Sequence, residues 1–216
     1  MDGVVILYRK TVKRTLDIIL STFALIVLVI PMLIIALAVK FSSQGNVLFW
    51  QKRVGIDKNT FMMPKFRSMY TETPAEMPTH MLNDPERWIT PIGKFLRKSS
   101  LDELPQLLCI LTGKMSIVGP RPALWNQDDL ISEREKYGAN DIRPGLTGWA
   151  QVNGRDELPI TEKARLDGEY VQKMSFLFDI KCVLMTAVKV IRHDGVVEGG
   201  TGSITEKETE KETVGK

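Results

Sequence analysis

Helices are predicted to dominate this chain, in an α+β fold built on an N-terminal membrane helix and a single following domain. Three observations predict it. No charged residue occurs between Ile18 and Val39, a run long enough to enter a bilayer as a helix. The two-residue alternation of strands is confined to one stretch between residues 47 and 69, whereas helical spacing recurs in three later segments. The 216 residues, 44% hydrophobic and 25% charged, suffice for one sizeable core. A net charge of +3 suits phosphate groups or anionic lipid but is too weak to argue for nucleic acid.

Residues 1–17 hold Arg9, Lys10, Lys13 and Arg14 against Asp2 and Asp17, and the apolar run follows. A secretory signal would be shorter and would close on a small-residue cleavage site. This run ends in Lys40-Phe41, so it reads as a retained anchor whose basic start stays cytoplasmic. Pro31 removes one helix hydrogen bond in mid-run and is expected to break or kink the helix. Two topologies are open: a straight span, or a helix–break–helix hairpin that enters and leaves the same face. Cys109 and Cys182, set in apolar patterns as buried reduced thiols, and the basic residues after the run favour the hairpin.

From Val47 the pattern becomes β-like. Val47-Leu48-Phe49-Trp50 and Phe61-Met62-Met63 frame a hairpin turning through Asp57-Lys58-Asn59. Residues 71–83, with Pro74 and Pro78, read as a loop, and Asp84-Pro85 as a helix start. Thr90-Pro91 interrupts that helix, which resumes from Ile92 to Lys98 as a basic amphipathic segment suited to a membrane surface or to packing on the core.

Ser99-Ser100-Leu101-Asp102-Glu103-Leu104-Pro105-Gln106-Leu107 is the centre of the chain's chemistry. Two adjacent carboxylates stand between the basic Lys94, Arg97 and Lys98 and an apolar helix start. Pro105 fits only a first helical turn, so a helix is expected to begin near Asp102. The plain reading is a cap: Asp102 is a good N-cap, and Ser100 with Glu103 matches a capping box. The chemical reading is a carboxylate pair at a phosphate site.

Beyond this helix, Pro120 and Pro122 hold Arg121 in a rigid turn, a presentation suited to phosphate. Residues 143–155 form a loop rich in glycine and amides between Arg143 and Arg155, in which glycines permit close backbone approach. Thr161 is expected to cap a helix running to about Met174 that carries Asp167, and Phe178 to His193 forms a last helix. Residues 196–216 read as a solvated, disordered tail. His80 and His193 are isolated, and no zinc spacing, disulfide framework or phosphate-loop motif is present.

Taken together the chain resembles the bacterial sugar transferase family, the monotopic polyprenyl-phosphate phosphoglycosyl transferases. The resemblance runs from about Lys13 to Ile191. It is carried by Lys13-Arg14 with Asp17, V-L-F-W-Q-K-R-V-G at 47–55, K-F-R-S-M at 65–69, R-K-S-S-L-D-E-L-P-Q-L at 97–107, M-S-I-V-G-P-R-P at 115–122 and R-P-G-L-T-G-W-A-Q-V-N-G-R at 143–155. Lys114 departs from the aspartate frequent there.

The resemblance implies a re-entrant membrane helix hairpin over residues 1–40, broken near Pro31. It also implies a catalytic domain over 41–195 on the cytoplasmic face of the bacterial inner membrane, with a short β-hairpin and interfacial amphipathic helices. Asp102 would attack the β-phosphorus of a UDP-sugar, release UMP and hold the phosphosugar covalently until a polyprenyl phosphate such as undecaprenyl phosphate takes it. This would be the first membrane step in building a capsule, O-antigen, exopolysaccharide or glycoprotein glycan. Glu103 would hold Mg²⁺. Lys65, Arg67, Arg97 and Arg121 would grip phosphate, with Arg143, Arg155 and Asp167 as further substrate contacts. Two competing readings stand beside it: a glycosyl transferase that releases UDP, for which the usual D-x-D motif is absent, and a non-catalytic membrane-anchored scaffold. The sugar is not legible, nor is the oligomeric state, with which a homodimer is compatible.

Overall fold

The computed structural model describes residues 7–73, 84–154 and 158–192. The loop 74–83, His80, Arg155, His193 and the tail 196–216 therefore lie outside the described residues.

A π-helical turn, Tyr8–Val12, opens directly into helix α1, Lys13–Ser42. The run is rich in Leu, carries Ala24, Ala36 and Ala38 and is free of glycine, which favours one long helix. It does not break at Pro31: helical backbone continues through that residue to Ser42. Proline's fixed φ is compatible with a helix, and its loss is a single hydrogen bond. Thirty residues make a rod of about 45 Å at 1.5 Å per residue. One stripe faces the rest of the protein: Asp17 and Ser21 are buried, and Ala24, Leu25, Leu28, Met32, Ile35, Ala36 and Val39 pack into two core clusters. The other faces stay exposed and apolar, among them Ile19, Phe23, Ile26, Ile30, Leu33, Ile34 and Phe41.

Strands β1, Leu48–Val54, and β2, Thr60–Phe66, form the expected antiparallel hairpin, in register from Leu48 opposite Phe66 to Val54 opposite Thr60. The turn contains Asp57 and Lys58 at positive φ.

Asp84-Pro85 starts only a short 3-10 turn, Pro85–Trp88, with Asp84 at φ 50° and no side-chain cap. Helix α2, Pro91–Lys98, is a separate element, capped by Thr90 Oγ1, which accepts from the Gly93 N–H at 3.0 Å. A 3-10 segment, Leu101–Gln106, runs straight into helix α3, Leu107–Leu111. Strand β3, Ser116–Val118, pairs in parallel with β4, Gly145–Thr147, a second small sheet that the sequence pattern did not predict. Helix α4, Asp128–Glu135, lies between them in sequence, and the short α5, Trp149–Val152, follows. Helix α6, Ile160–Lys173, begins one residue before Thr161, so Thr161 lies within the helix rather than capping it. Helix α7, Phe176–Arg192, completes the described chain.

The β3–β4 contact explains the glycines of residues 143–155. A Cβ at Gly145 would stand 2.1 Å from the Gly119 backbone nitrogen, and one at Gly148 2.0 Å from the Gly119 carbonyl oxygen. The close approach that these glycines permit is to the chain's own backbone.

Candidate active site

The dyad is positioned by a reversal of the chain after α2. Ser100 sits in the left-handed region, φ 57° and ψ 17°, and its side chain accepts no capping N–H. The Glu103 N–H bonds the Ser100 carbonyl at 3.2 Å. The expected N-cap and capping box are therefore not formed. A backbone oxygen takes the N–H that the Ser100 hydroxyl would have taken, and the Glu103 carboxylate is engaged elsewhere.

Two cations from distant segments engage it. Lys65 Nζ, from β2, and Arg121 Nη2, from the turn after β3, each lie 2.9 Å from Glu103 Oε1. Glu103 and Asp102 are both buried, the latter 7% exposed. Desolvation pushes the Asp102 carboxyl above its ordinary range, and the Glu103 charge adds to it, while Lys65, Arg97 and Arg121 pull the other way. Burial likewise lowers Lys65, opposed by Glu103. Arg97, in the last turn of α2, thus acts on Asp102 through its charge. The result is an acid pair in a low-dielectric site ringed by three cations drawn from three elements, an arrangement able to receive a diphosphate.

The other sequence candidates fall elsewhere. Arg67 is buried and donates to the Ser43 carbonyl at 2.7 Å, the Ser43 hydroxyl at 3.0 Å and the Gln44 carbonyl, closing the end of α1. Arg143 Nε bonds the Gly113 carbonyl at 2.9 Å, beyond the opposite end of α3 from the dyad. Asp167 is 1% exposed and pairs with Arg134 at 2.6 Å; its Oδ1 has no hydrogen-bond partner among the described residues. Arg155 is not described.

Arg53 was missed. Its Nη1 donates to the Pro122 carbonyl at 2.9 Å and its Nε to Gln51 Oε1 at 3.1 Å, and its charge reaches Lys65. The signal was available: in a strand, Phe49, Gln51 and Arg53 share one face, and Phe49 pairs with Lys65. Arg53 thereby braces the turn that presents Arg121.

Among the described residues no group of three or more His, Cys, Asp or Glu side chains could cage a metal. Two adjacent carboxylates do suit Mg²⁺, which is usually held by one or two carboxylates and completes its shell with substrate phosphates and water.

Residues 8–193 match the family described as "Bacterial sugar transferase". The chain belongs to the bacterial sugar transferase family. Among curated members it is 43% identical over 189 residues to "UDP-glucose:undecaprenyl-phosphate glucose-1-phosphate transferase" of Escherichia coli (strain K12), covering 84% of this chain and 40% of that protein. A protein of the same name from Xanthomonas campestris pv. campestris is 40% identical, with 85% and 40% covered. "Uncharacterized sugar transferase EpsL" of Bacillus subtilis (strain 168) is 36% identical, with 85% and 89% covered. The chain thus spans about two fifths of the length of the first two relatives and most of the third. The matched family region contains the dyad, Lys65, Arg97 and Arg121.

Proposed function

We propose that this sugar transferase moves a phosphosugar from a UDP-sugar to undecaprenyl phosphate and releases UMP. The observation that carries the reading is the convergence of Lys65 and Arg121 on Glu103 beside the buried Asp102. In the first step an Asp102 carboxylate oxygen bonds to the β-phosphorus. The bond from that phosphorus to the bridging oxygen breaks, and its electron pair leaves with UMP. In the second step a phosphate oxygen of the lipid carrier attacks the same phosphorus, and the Asp102 carboxylate is the leaving group. Covalent catalysis of this kind divides one displacement into two and gives ping-pong kinetics.

Lys65, Arg97 and Arg121 offset the charge that would otherwise repel the attacking carboxylate. Glu103 holds two of these cations in place and, with Asp102, would hold Mg²⁺ brought with the diphosphate, whose role is to neutralise developing phosphate charge. The names of the relatives make UDP-glucose the first donor to test.

The domain is proposed to sit on one face, the cytoplasmic face of the inner membrane. The packed stripe of α1 runs from Asp17 to Val39, so both ends of the helix touch one domain, which a straight span surrounded by lipid would not allow. The exposed apolar faces of α1 and α7, the latter including Leu177, Ile180, Leu184 and Val188, supply the area that would meet lipid.

Nucleotide release in detergent, with UDP-glucose, undecaprenyl phosphate and Mg²⁺, tests the reading, with Asp102→Asn as control. UMP that depends on Asp102 is the expected product. UDP in its place would mean a glycosyl transferase that moves the sugar alone, and UMP release undiminished in Asp102→Asn would remove the covalent step.

A further inference from the structure

The two segments that meet at the active site are each tied by a side chain to the same turn of α1. At the end of α3 the Ile110 carbonyl already takes the Gly113 N–H at 3.0 Å. Arg14 adds a side-chain clamp to it: Nη1 donates to the Ile110 carbonyl at 2.6 Å and Nη2 to the Leu111 carbonyl at 2.8 Å. Three residues further along, Asp17 Oδ1 accepts the Ile117 N–H of β3 at 2.9 Å, and Asp17 is 4% exposed.

These contacts lead directly to the site. The 3-10 segment carrying Asp102 and Glu103 continues without interruption into α3, so a displacement of α3 is passed to the dyad. β3 ends at Val118, three residues before Arg121. The Arg121–Glu103 ion pair therefore joins two segments whose far ends are both held by α1, one through Arg14 and the other through Asp17. The bonding geometry suits the residue types. A guanidinium reaches two adjacent carbonyls at once, which a lysine ammonium on a flexible stem does less well. A carboxylate replaces a strand partner for a backbone N–H that would otherwise be orphaned in a buried place.

We propose that Arg14 and Asp17 are positioning residues: they hold the dyad and Arg121 in register, and they make that register depend on how α1 is seated. The inference rests on reading Asp102, Glu103 and Arg121 as the active site. Neither residue touches substrate in this scheme. Misplacement of the attacking carboxylate by about 1 Å is enough to cost on the order of a hundredfold in rate, so a small slip at the far end of α3 has a large reading at the near end.

The test compares wild type with Arg14→Gln, Arg14→Lys, Asp17→Ala and Asp17→Asn in detergent or membranes, by UMP release from UDP-glucose and by amide hydrogen exchange over residues 101–121. Arg14→Gln and Asp17→Ala are expected to lower kcat roughly ten- to a hundredfold with KM for the donor little changed. Asp17→Asn, which keeps an acceptor, should recover most of the loss, and Arg14→Lys, which keeps a single donor group, only part of it. Exchange should quicken over 101–121 and not over 160–173, and every variant should remain in the membrane fraction. The inference is overturned if kcat stays within about twofold of wild type, if activity falls only in step with protein lost from the membrane, or if exchange over 101–121 is unaltered. Absence of UMP release from the wild type would instead sink the functional reading, and the exchange comparison would still decide the clamp.

Discussion

Lys65 Nζ and Glu103 Oε1 lie 2.9 Å apart with side chains only 15% and 11% exposed, so strand β2 contributes a buried cation to the acid pair from outside its own segment. Lys65→Met keeps the stem and removes the charge. Loss of one such electrostatic contact is expected to lower kcat about a hundredfold or more, with a smaller effect on the thermal midpoint. Steady-state kinetics beside a melting curve separate the two. A large fall in the midpoint with kcat preserved in the folded fraction would make Lys65 a structural residue.

The acid and alkaline limits of turnover follow from burial. Asp102 is held above its usual 3.8 and Lys65 below its usual 10.5. In the proposed reaction Asp102 must be ionised to attack and Lys65 protonated to grip. kcat/KM, which reports the free enzyme, should therefore decline on the acid side at a pH above 3.8 and on the alkaline side at a pH below 10.5. Lys65→Arg, whose guanidinium stays charged, should move the alkaline limb upward. An alkaline limb unmoved by that change belongs to another group.

Arg134 and Asp167 form an ion pair with side chains 5% and 1% exposed. Asp167→Asn leaves the guanidinium buried without its counter-charge, which typically costs about 3–5 kcal/mol. Replacing both residues by apolar side chains of similar volume should return much of that stability. Denaturant unfolding in detergent measures it, and an Asp167→Asn protein as stable as wild type would show that the pair is not what holds α4 to α6.

The Cys182 thiol is pushed up to about 12 by burial and by the Asp179 charge, and burial also raises Cys109 against the pull of Lys114. Only a thiolate is alkylated. At pH 8 the ionised share of Cys182 is on the order of 10⁻⁴, against about a quarter for an ordinary cysteine. Native protein should resist iodoacetamide at both positions and take it up at both once denatured, as read by intact mass. Rapid native labelling at Cys182 would reveal opening of α7 at its buried face.

What the sequence disclosed and what it hid differ by range. The long apolar helix, the hairpin and the meeting of the two acids with cations were legible because each announces itself locally: an uncharged run, an alternation closed by Asp57-Lys58-Asn59, two acids set against basic and apolar neighbours. The β3–β4 pair was not, since three-residue strands show no period and their pairing joins segments distant in sequence. The capping box was misread because Ser100 takes a left-handed conformation that its residue type does not announce. Arg67 read as a phosphate clamp and Arg143 as a substrate contact, yet each donates to backbone carbonyls. A carbonyl at a helix end and a phosphate oxygen ask for the same donor, and only tertiary structure distinguishes them.

In the proposed membrane setting, helix α1 serves two solvents at once. Its outward faces need only be apolar, and any exchange among Ile, Leu, Val and Phe there should pass. Its inward stripe is part of a protein interior: Val39 and Leu96 are fully buried together with Ile35 and Phe66, and each such side chain is worth about 1.5–3 kcal/mol of burial. An unrelated hydrophobic segment grafted in its place would keep the address and lose the fold, and a cut after residue 40 would not liberate a soluble enzyme. The apolar helix and the domain packed on it are one folding unit, so any attempt to engineer where this family member resides is also an intervention in whether it folds.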